Sequence, residues 1–464
     1  MEPATTIRST IEDYIRKQGY TLQYFADISG VNAGTLSAII KGTRPIAMAQ
    51  LDLITQGMNL EEGYFYETYG AECFVESAPH WRRLEPFLQR CAELDKLDCI
   101  QRVIQQVTDD RSYISELFEM AEGMLERGQQ KAARMLYECV AECEKYQHSE
   151  RLALCQYRIF TLSLGQNQHD NLRAAVHFEP YINRLDEERQ LDAIRELANM
   201  YGSLCYWDKV LHLAGELLQR VKCLEQYKNK KKGMYYNRLS KHPMFSYKYY
   251  AYLMMATVCG ERKEYEKALE YTALYSDIVI EDPTPEDQNF IKRFKDWAEV
   301  NTYLYKLMIG DKNALNSYLD FIEINENETL LGLVKVIEAA NQNNFNIDQV
   351  LRRFDLFIYK VLNKLSYQNS YSIMIKNDHY IKFLGELALY ELSRERYQEG
   401  FRHLLNCLVV AKKVNDDSTL IYCVSLFEEY RNQASESTES QYKSIIKEVY
   451  DRYDKKSSVG TNAV

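Results

Sequence analysis

Proline and glycine are scarce, at 8 and 19 of 464 residues. That scarcity excludes turn-rich β architecture and favours long helices. No apolar run approaches the roughly 18 residues a membrane helix requires. No apolar leader opens the chain, so a cytoplasmic protein without a membrane partner is expected. Short paired cysteine spacings and an HExxH string are both missing, which leaves neither a metal knuckle nor a zincin helix. Cys139 and Cys143 are the closest of the 11 cysteines. Their spacing fits neighbouring core positions on a helix, so buried free thiols are expected, with no metal site. There is no Gly-rich phosphate loop, no alternating strand pattern and no evident nucleophile–base set. Neither an enzyme nor a cofactor is expected.

Tyrosine, by contrast, is abundant, with 37 copies. Aromatic rings at helical spacing mostly pack cores, although rings can also line a groove. The net charge is −10, which argues against nucleic-acid binding along the whole surface. The length exceeds one ordinary core, so several domains or a repeat array are expected.

The most organised stretch is Leu22–Gly42. It reads as a helix, a tight turn at Gly30 and a second helix. Ala26 permits a close crossing, Val31 plugs the corner and Asn32 is a good N-cap. Leu36, Ile39 and Ile40 recur on one side of the second helix. Steeply crossed short helices of this kind form the DNA-binding helix-turn-helix; an ordinary corner in an α-helical domain has a similar outline. A first helix is expected over residues 5–18, with Ile7, Ile11, Tyr14 and Ile15 on one face. A fourth is expected from Ala47 to Met58, so that residues 1–66 form a compact helical domain.

The string SGVNAGTLSAIIKGTRP, with Ala49–Ile54 after it, resembles the Cro/repressor-type (XRE) helix-turn-helix family. The resemblance implies that the second helix enters the major groove of a DNA operator. Asn32, Ala33, Gly34, Thr35, Ser37 and Ala38 would then face bases, and Lys41, Thr43 and Arg44 would lie near the backbone. Thr21 and Gln23, at the start of the preceding helix, would donate to a phosphate. Two features depart from the family. Ala33, Gly34 and Ala38 stand where long amide side chains often read bases, so specificity falls to small polar and methyl contacts or to DNA shape. Residues 1–70 hold five Lys/Arg against eight Asp/Glu, a net charge of −3, where DNA-binding domains are usually basic. One copy would bind weakly, so a homodimer is expected.

Residues 67–80 are expected to link this domain to a second, with their aromatics packed on one side or the other. From 81 to 454 the pattern is helical, with breaks at Gly128, Gly165, Gly260, Gly310 and Asn341–Asn344. Small residues recur twelve apart across such breaks: Ala121 and Ala133, Ala256 and Ala268, Ala388 and Gly400, with Ala198 and Val210 less strictly. The spacing places small residues on facing helices of antiparallel hairpins and resembles the tetratricopeptide repeat (TPR). Residues 149–182, 297–323 and 330–362 fit it poorly, and an α-helical bundle without superhelical order is the simpler alternative. An array would present a concave face. On it, Arg195 and Asn199 would flank Ala198, while Leu253, Thr257, Gly260 and Glu261 would flank Ala256. A guanidinium forks a carboxylate and an amide satisfies a peptide backbone, so Arg195 and Asn199 are candidate peptide-binding residues. Leu253, Thr257, Tyr250 and Asn301 are further candidates. The basic run Lys228–Lys232 reads as a solvated loop. The last helix is expected from Glu439 to Tyr453, with residues 455–464 disordered.

The combination resembles the RRNPP family of peptide-pheromone-responsive regulators. The expected fold is therefore all-α, a helix-turn-helix domain followed by a TPR-like α-solenoid. The implied function is transcriptional regulation controlled by a short signalling peptide in the groove. The alternative is a TPR scaffold that regulates a partner protein, such as a response regulator, by direct contact.

Overall fold

The computed structural model describes residues 6–73, 81–107, 113–165, 167–230, 240–324, 328–364, 374–414 and 416–459. The fold is all-α, and no strand occurs among the described residues. The chain divides into two compact units, Met1–Met200 and Tyr201–Val464.

The first unit begins with α1 (Ile7–Gln18), α2 (Leu22–Ser29), α3 (Ala33–Ile40), α4 (Met48–Gly57) and α5 (Tyr66–Glu72). Thr6 caps α1 by accepting the Ser9 N–H, and Gly19 ends it in the left-handed region at φ +67°. Ile7, Ile11, Phe25, Leu36, Ile39, Leu51 and Ile54 are fully buried. They form the core of this head, each worth roughly 1.5–3 kcal/mol of burial. Then follow α6 (Trp81–Glu93), α7 (Leu97–Val107), α8 (Ile114–Glu126), α9 (Gln130–Cys143), α10 (Glu150–Ser163) and α11 (Gln168–Phe178). A 3-10 segment, Glu179–Arg184, leads to α12 (Glu187–Ser203), which crosses into the second unit.

The second unit holds α13 (Trp207–Lys230), α14 (Met244–Glu261), α15 (Tyr265–Ser276), α16 (Pro285–Met308), α17 (Ala314–Ile324) and α18 (Thr329–Asn343). It continues with α19 (Asp348–Arg353), α20 (Asp355–Lys364), α21 (Met374–Ser393), α22 (Tyr397–Val414), α23 (Asp417–Tyr430) and α24 (Glu436–Val459). The start of α16 follows from local sequence. Thr284 accepts the Asp287 N–H at 3.2 Å, Asp287 accepts the Thr284 N–H at 3.0 Å, and Pro285 fills the first helical position. This is a capping box with proline where its missing N–H costs nothing.

Sequential helices pair where small residues recur. α8 packs on α9, α14 on α15 and α21 on α22. Ala121, Ala133, Ala256, Ala268 and Ala388 are all fully buried. At Gly400 a Cβ would lie 2.6 Å from Leu392 Cγ and 3.0 Å from its backbone nitrogen, so only glycine fits that crossing. The break expected at Gly260 falls later. α14 runs through it to Glu261, and Lys263 makes the turn at φ +62°. Gly260 is there for another reason, since a Cβ would meet the Tyr305 ring at 2.7 Å. The chain does break at Gly128, Gly310 and Asn344, all with positive φ.

Tyrosine is used as core. Tyr66, Tyr69, Tyr137, Tyr157, Tyr201, Tyr247, Tyr275 and Tyr390 are among the largest fully buried side chains. Their hydroxyls find partners in the cases of Tyr66 with Asp52, Tyr69 with the Ile46 carbonyl and Tyr390 with Asp348, as burial of a phenol requires. All 11 cysteines are free thiols; Cys205 and Cys223 are exposed, Cys143 half-buried, and the rest buried.

Two boundaries differ from the sequence reading. The expected linker starts inside α5, where Tyr69 is fully buried; its residues 74–80 lie outside the described set. The last helix begins at Glu436 and runs to Val459, past the expected stop at Tyr453. The rest of the expected tail, 460–464, and Lys231 and Lys232 of the basic run also lie outside the described residues.

Candidate nucleic-acid interface and candidate groove

Thr21 begins α2 by accepting the Tyr24 N–H at 3.1 Å, closing one open donor of the first turn. Gln23, exposed beside it, donates to Asp27 Oδ1 at 3.1 Å. Both residues are engaged within α2, Thr21 as an acceptor and Gln23 through one amide hydrogen, which leaves the Thr21 hydroxyl hydrogen and the second Gln23 hydrogen able to donate. Gly30 turns the chain at φ +73°, and Val31 is buried at the corner. Asn32 Oδ1 then accepts from the N–H groups of Gly34 at 2.9 Å and Thr35 at 3.3 Å. Its carbonyl oxygen therefore serves the start of α3.

α3 turns Leu36 and Ile39 into the core. Asn32 and Gly34 are exposed, and Ala33, Thr35, Ser37 and Ala38 are half-buried. The following loop folds back on the helix end. The Ala38 carbonyl accepts from Thr43 N–H at 3.0 Å, Arg44 N–H at 3.2 Å and the Thr43 hydroxyl at 3.1 Å. Arg44 Nη1 consequently reaches Thr35 Oγ1 at 3.5 Å, so this cation stands over the first turn of α3. Lys41 is exposed. Sequence reasoning missed Arg8, whose Nη1 lies 3.2 Å from where a Gly42 Cβ would stand. Arg8 sits 34 residues from Gly42 on another helix, beyond any local pattern. Arg8 and Lys41 near the C-terminal end of α3, with Arg44 over its first turn, give a local positive face on an acidic chain, and the helix dipole favours cations at that end.

The head is seated on α6. Tyr66 and Tyr69 approach Phe87 at ring distances of 5.8 and 5.3 Å. Arg90 Nε donates to Asp52 Oδ2 at 3.0 Å and also pairs with Glu62 and Glu93. Burial and the neighbouring Asp52 push the Tyr66 hydroxyl pKa well above its usual value. It therefore remains a protonated donor to Asp52 at any physiological pH.

The expected peptide-binding residues fall in both units. In the first, Arg195 is half-buried and Asn199 exposed, one turn apart on α12. In the second, Tyr250 and Leu253 are half-buried on α14, and the exposed Thr257 donates to the Leu253 carbonyl at 3.0 Å. Asn301, on α16, donates through Nδ2 to the buried Tyr275 hydroxyl at 2.8 Å, a packing contact within the unit. Gly260, expected to face the groove, faces Tyr305 instead.

Two charged networks escaped the sequence reading. In the first unit, Arg158 on α10 donates to both oxygens of Glu122 on α8, at 2.9 and 2.8 Å, and Tyr137 donates to the same carboxylate. Burial pushes the Glu122 carboxyl pKa up, but Arg158 and Tyr137 outweigh it and the net shift is downward. In the second unit, Lys335 lies 3.6 Å from Glu261 and 3.2 Å from Glu338. Asn341 Nδ2 donates to Glu386 Oε2 at 2.8 Å, yet burial dominates and raises the Glu386 pKa. A raised carboxyl contributes stability below its unfolded pKa and loses it as pH rises through the folded one. Glu386→Gln is therefore expected to raise the unfolding temperature at about pH 7 and to leave it unchanged near pH 3. Paired melting curves at the two pH values check this.

Among the described residues, no group of His, Cys, Asp and Glu is placed to hold a metal ion, and no helix is long and apolar enough to cross a membrane. No protein-family model and no curated protein matches the chain.

Proposed function

We propose that this chain is a DNA-binding transcriptional regulator of the XRE helix-turn-helix type, controlled by a short peptide held among TPR-like helices, as in RRNPP regulators. The observation that carries the reading is the arrangement around α3. Gly30 and Asn32 set the turn and the cap, and Thr35, Ser37 and Ala38 are partly accessible on a helix flanked by Arg8, Lys41 and Arg44. Cations positioned around a short exposed helix suit phosphates on either side of a groove. The paired helices with buried alanines support the repeat-like part. With few cations per head, two heads on one operator supply the affinity, so the working form is a homodimer.

Selection from a random duplex pool at low salt tests this. Arg44→Ala is expected to weaken all selected duplexes alike and to reduce the salt slope by about one. Thr35→Ala is expected to change which sequences are selected. A wild-type chain that enriches no duplex at roughly 50 mM salt overturns the reading. A second reading, a scaffold acting on a partner protein, draws support from α11. His169, Arg173 and His177 of α11 and Arg184 of the following 3-10 segment line one surface hollow with Val176, which is 55% exposed. Copurification of a stoichiometric protein that is lost in Arg173→Glu favours the scaffold.

A further inference from the structure

α6 and α8 enclose a cleft of about 620 Å³, within the range of roughly 300–1,000 Å³ typical of small-ligand sites. Its apolar lining is Trp81, Pro86 and Met120. Trp81 is fixed by stacking on Tyr113, with ring centroids 5.9 Å apart and 24° between planes. Three carboxylates stand around that lining: Glu85 on α6, and Glu116 and Glu119 on α8. None of them forms an ion pair or a hydrogen bond among the described residues. Among the described lining residues the cation is Arg127, whose guanidinium reaches across to donate to Gln89 on the α6 wall, and Arg151 donates to the lining residue Ser115.

We infer that this cleft docks a basic peptide segment, one carrying lysine or arginine around an aromatic or branched apolar residue. An apolar lining ringed by unpaired carboxylates is complementary to that chemistry and repels an acidic segment. Indole rings add an attractive face for a cation. The position gives the docking a consequence. The face of α6 away from the cleft seats the head through Phe87 and Arg90, so an occupant presses on the same helix. The inference goes beyond the proposed function, because it assigns a different cleft from Arg195 and Asn199 and stands whether or not the head binds DNA.

The test uses the full chain, with the hexapeptide Lys-Leu-Lys-Phe-Lys-Gly and its acidic counterpart Glu-Leu-Glu-Phe-Glu-Gly, by calorimetry and tryptophan fluorescence. The basic peptide is expected to bind and the acidic one not to. Glu116→Gln with Glu119→Gln is expected to weaken binding about tenfold, and Glu85→Gln, on the other wall, to weaken it less. Glu126→Gln, outside the cleft, is expected to leave it unchanged. Failure of the basic peptide to bind, equal binding of the two peptides, or wild-type affinity in the double variant overturns the inference. Because the assay reads peptide alone, its outcome is separate from the duplex selection.

Discussion

Arg151→Ala is expected to destabilise the first unit by about 3 kcal/mol. Glu144, at the end of α9, has a fully buried side chain. Its carboxylate accepts from the Ser149 hydroxyl at 2.7 Å and from Arg151 Nε at 2.8 Å. Ser149 is itself the cap of α10, accepting the Leu152 N–H at 3.0 Å. Arg151 Nη1 continues to Ser115 on α8 at 2.8 Å. One carboxylate therefore ties the α9–α10 turn to α8. Removing the guanidinium strands a buried negative charge with a single hydroxyl partner, and the desolvation cost is then uncompensated. Urea unfolding followed by circular dichroism measures the loss. Adding Glu144→Gln to the variant is expected to recover part of it, because the stranded charge is gone. A loss below about 1 kcal/mol, the range of exposed pairs, contradicts this account.

The second large effect lies in the head. A Cβ at Gly57 would stand 2.7 Å from Ser29 Cβ and 2.9 Å from Ser29 Cα. The obstruction is the backbone of α2, which no rotamer change removes, so α2 and α4 have to part. Gly57→Val is expected to cost about 3 kcal/mol or more through overpacking. Parting these helices also displaces α3, which follows α2 after the three residues Gly30, Val31 and Asn32. Under the proposed DNA-binding function, duplex retention is expected to vanish in Gly57→Val, with Gly57→Ala intermediate in both measures. Amide exchange in α2 and α4 reports the opening directly. Unchanged exchange in the valine variant contradicts the close crossing.

Much of the local structure was legible. Gly19, Gly30 and Gly42 mark positive φ, because only a residue without Cβ turns so sharply at low cost. The sequence reading identifies Asn32 as the N-cap of α3, but not Thr6 and Thr21, which cap α1 and α2. The twelve-residue spacing of alanines located helix pairs, since buried small residues are what a close crossing demands. What remained hidden depends on residues far apart in the chain. Gly57 reads as the end of a helix and acts as the floor of a crossing with Ser29. Gly260 reads as a break and makes room for Tyr305. Glu122 and Arg158 are 36 residues apart, a pairing set by helix packing that no periodicity announces. For the candidate interface, the sequence located α3, its Asn32 cap and the cations Lys41 and Arg44, but not Arg8 or the hydrogen bonds of Thr21 and Gln23 within α2.

The seating of the head on α6 makes it part of a larger cooperative unit. Unfolding α4 and α5 alone would expose Phe87 and leave Arg90 without Asp52. Local opening of the head then carries the cost of two interfaces, so its core amides exchange no faster than those of α6. Protease resistance should accordingly be lost from both together, and a fragment ending before Trp81 should be less stable than the same residues in the whole chain.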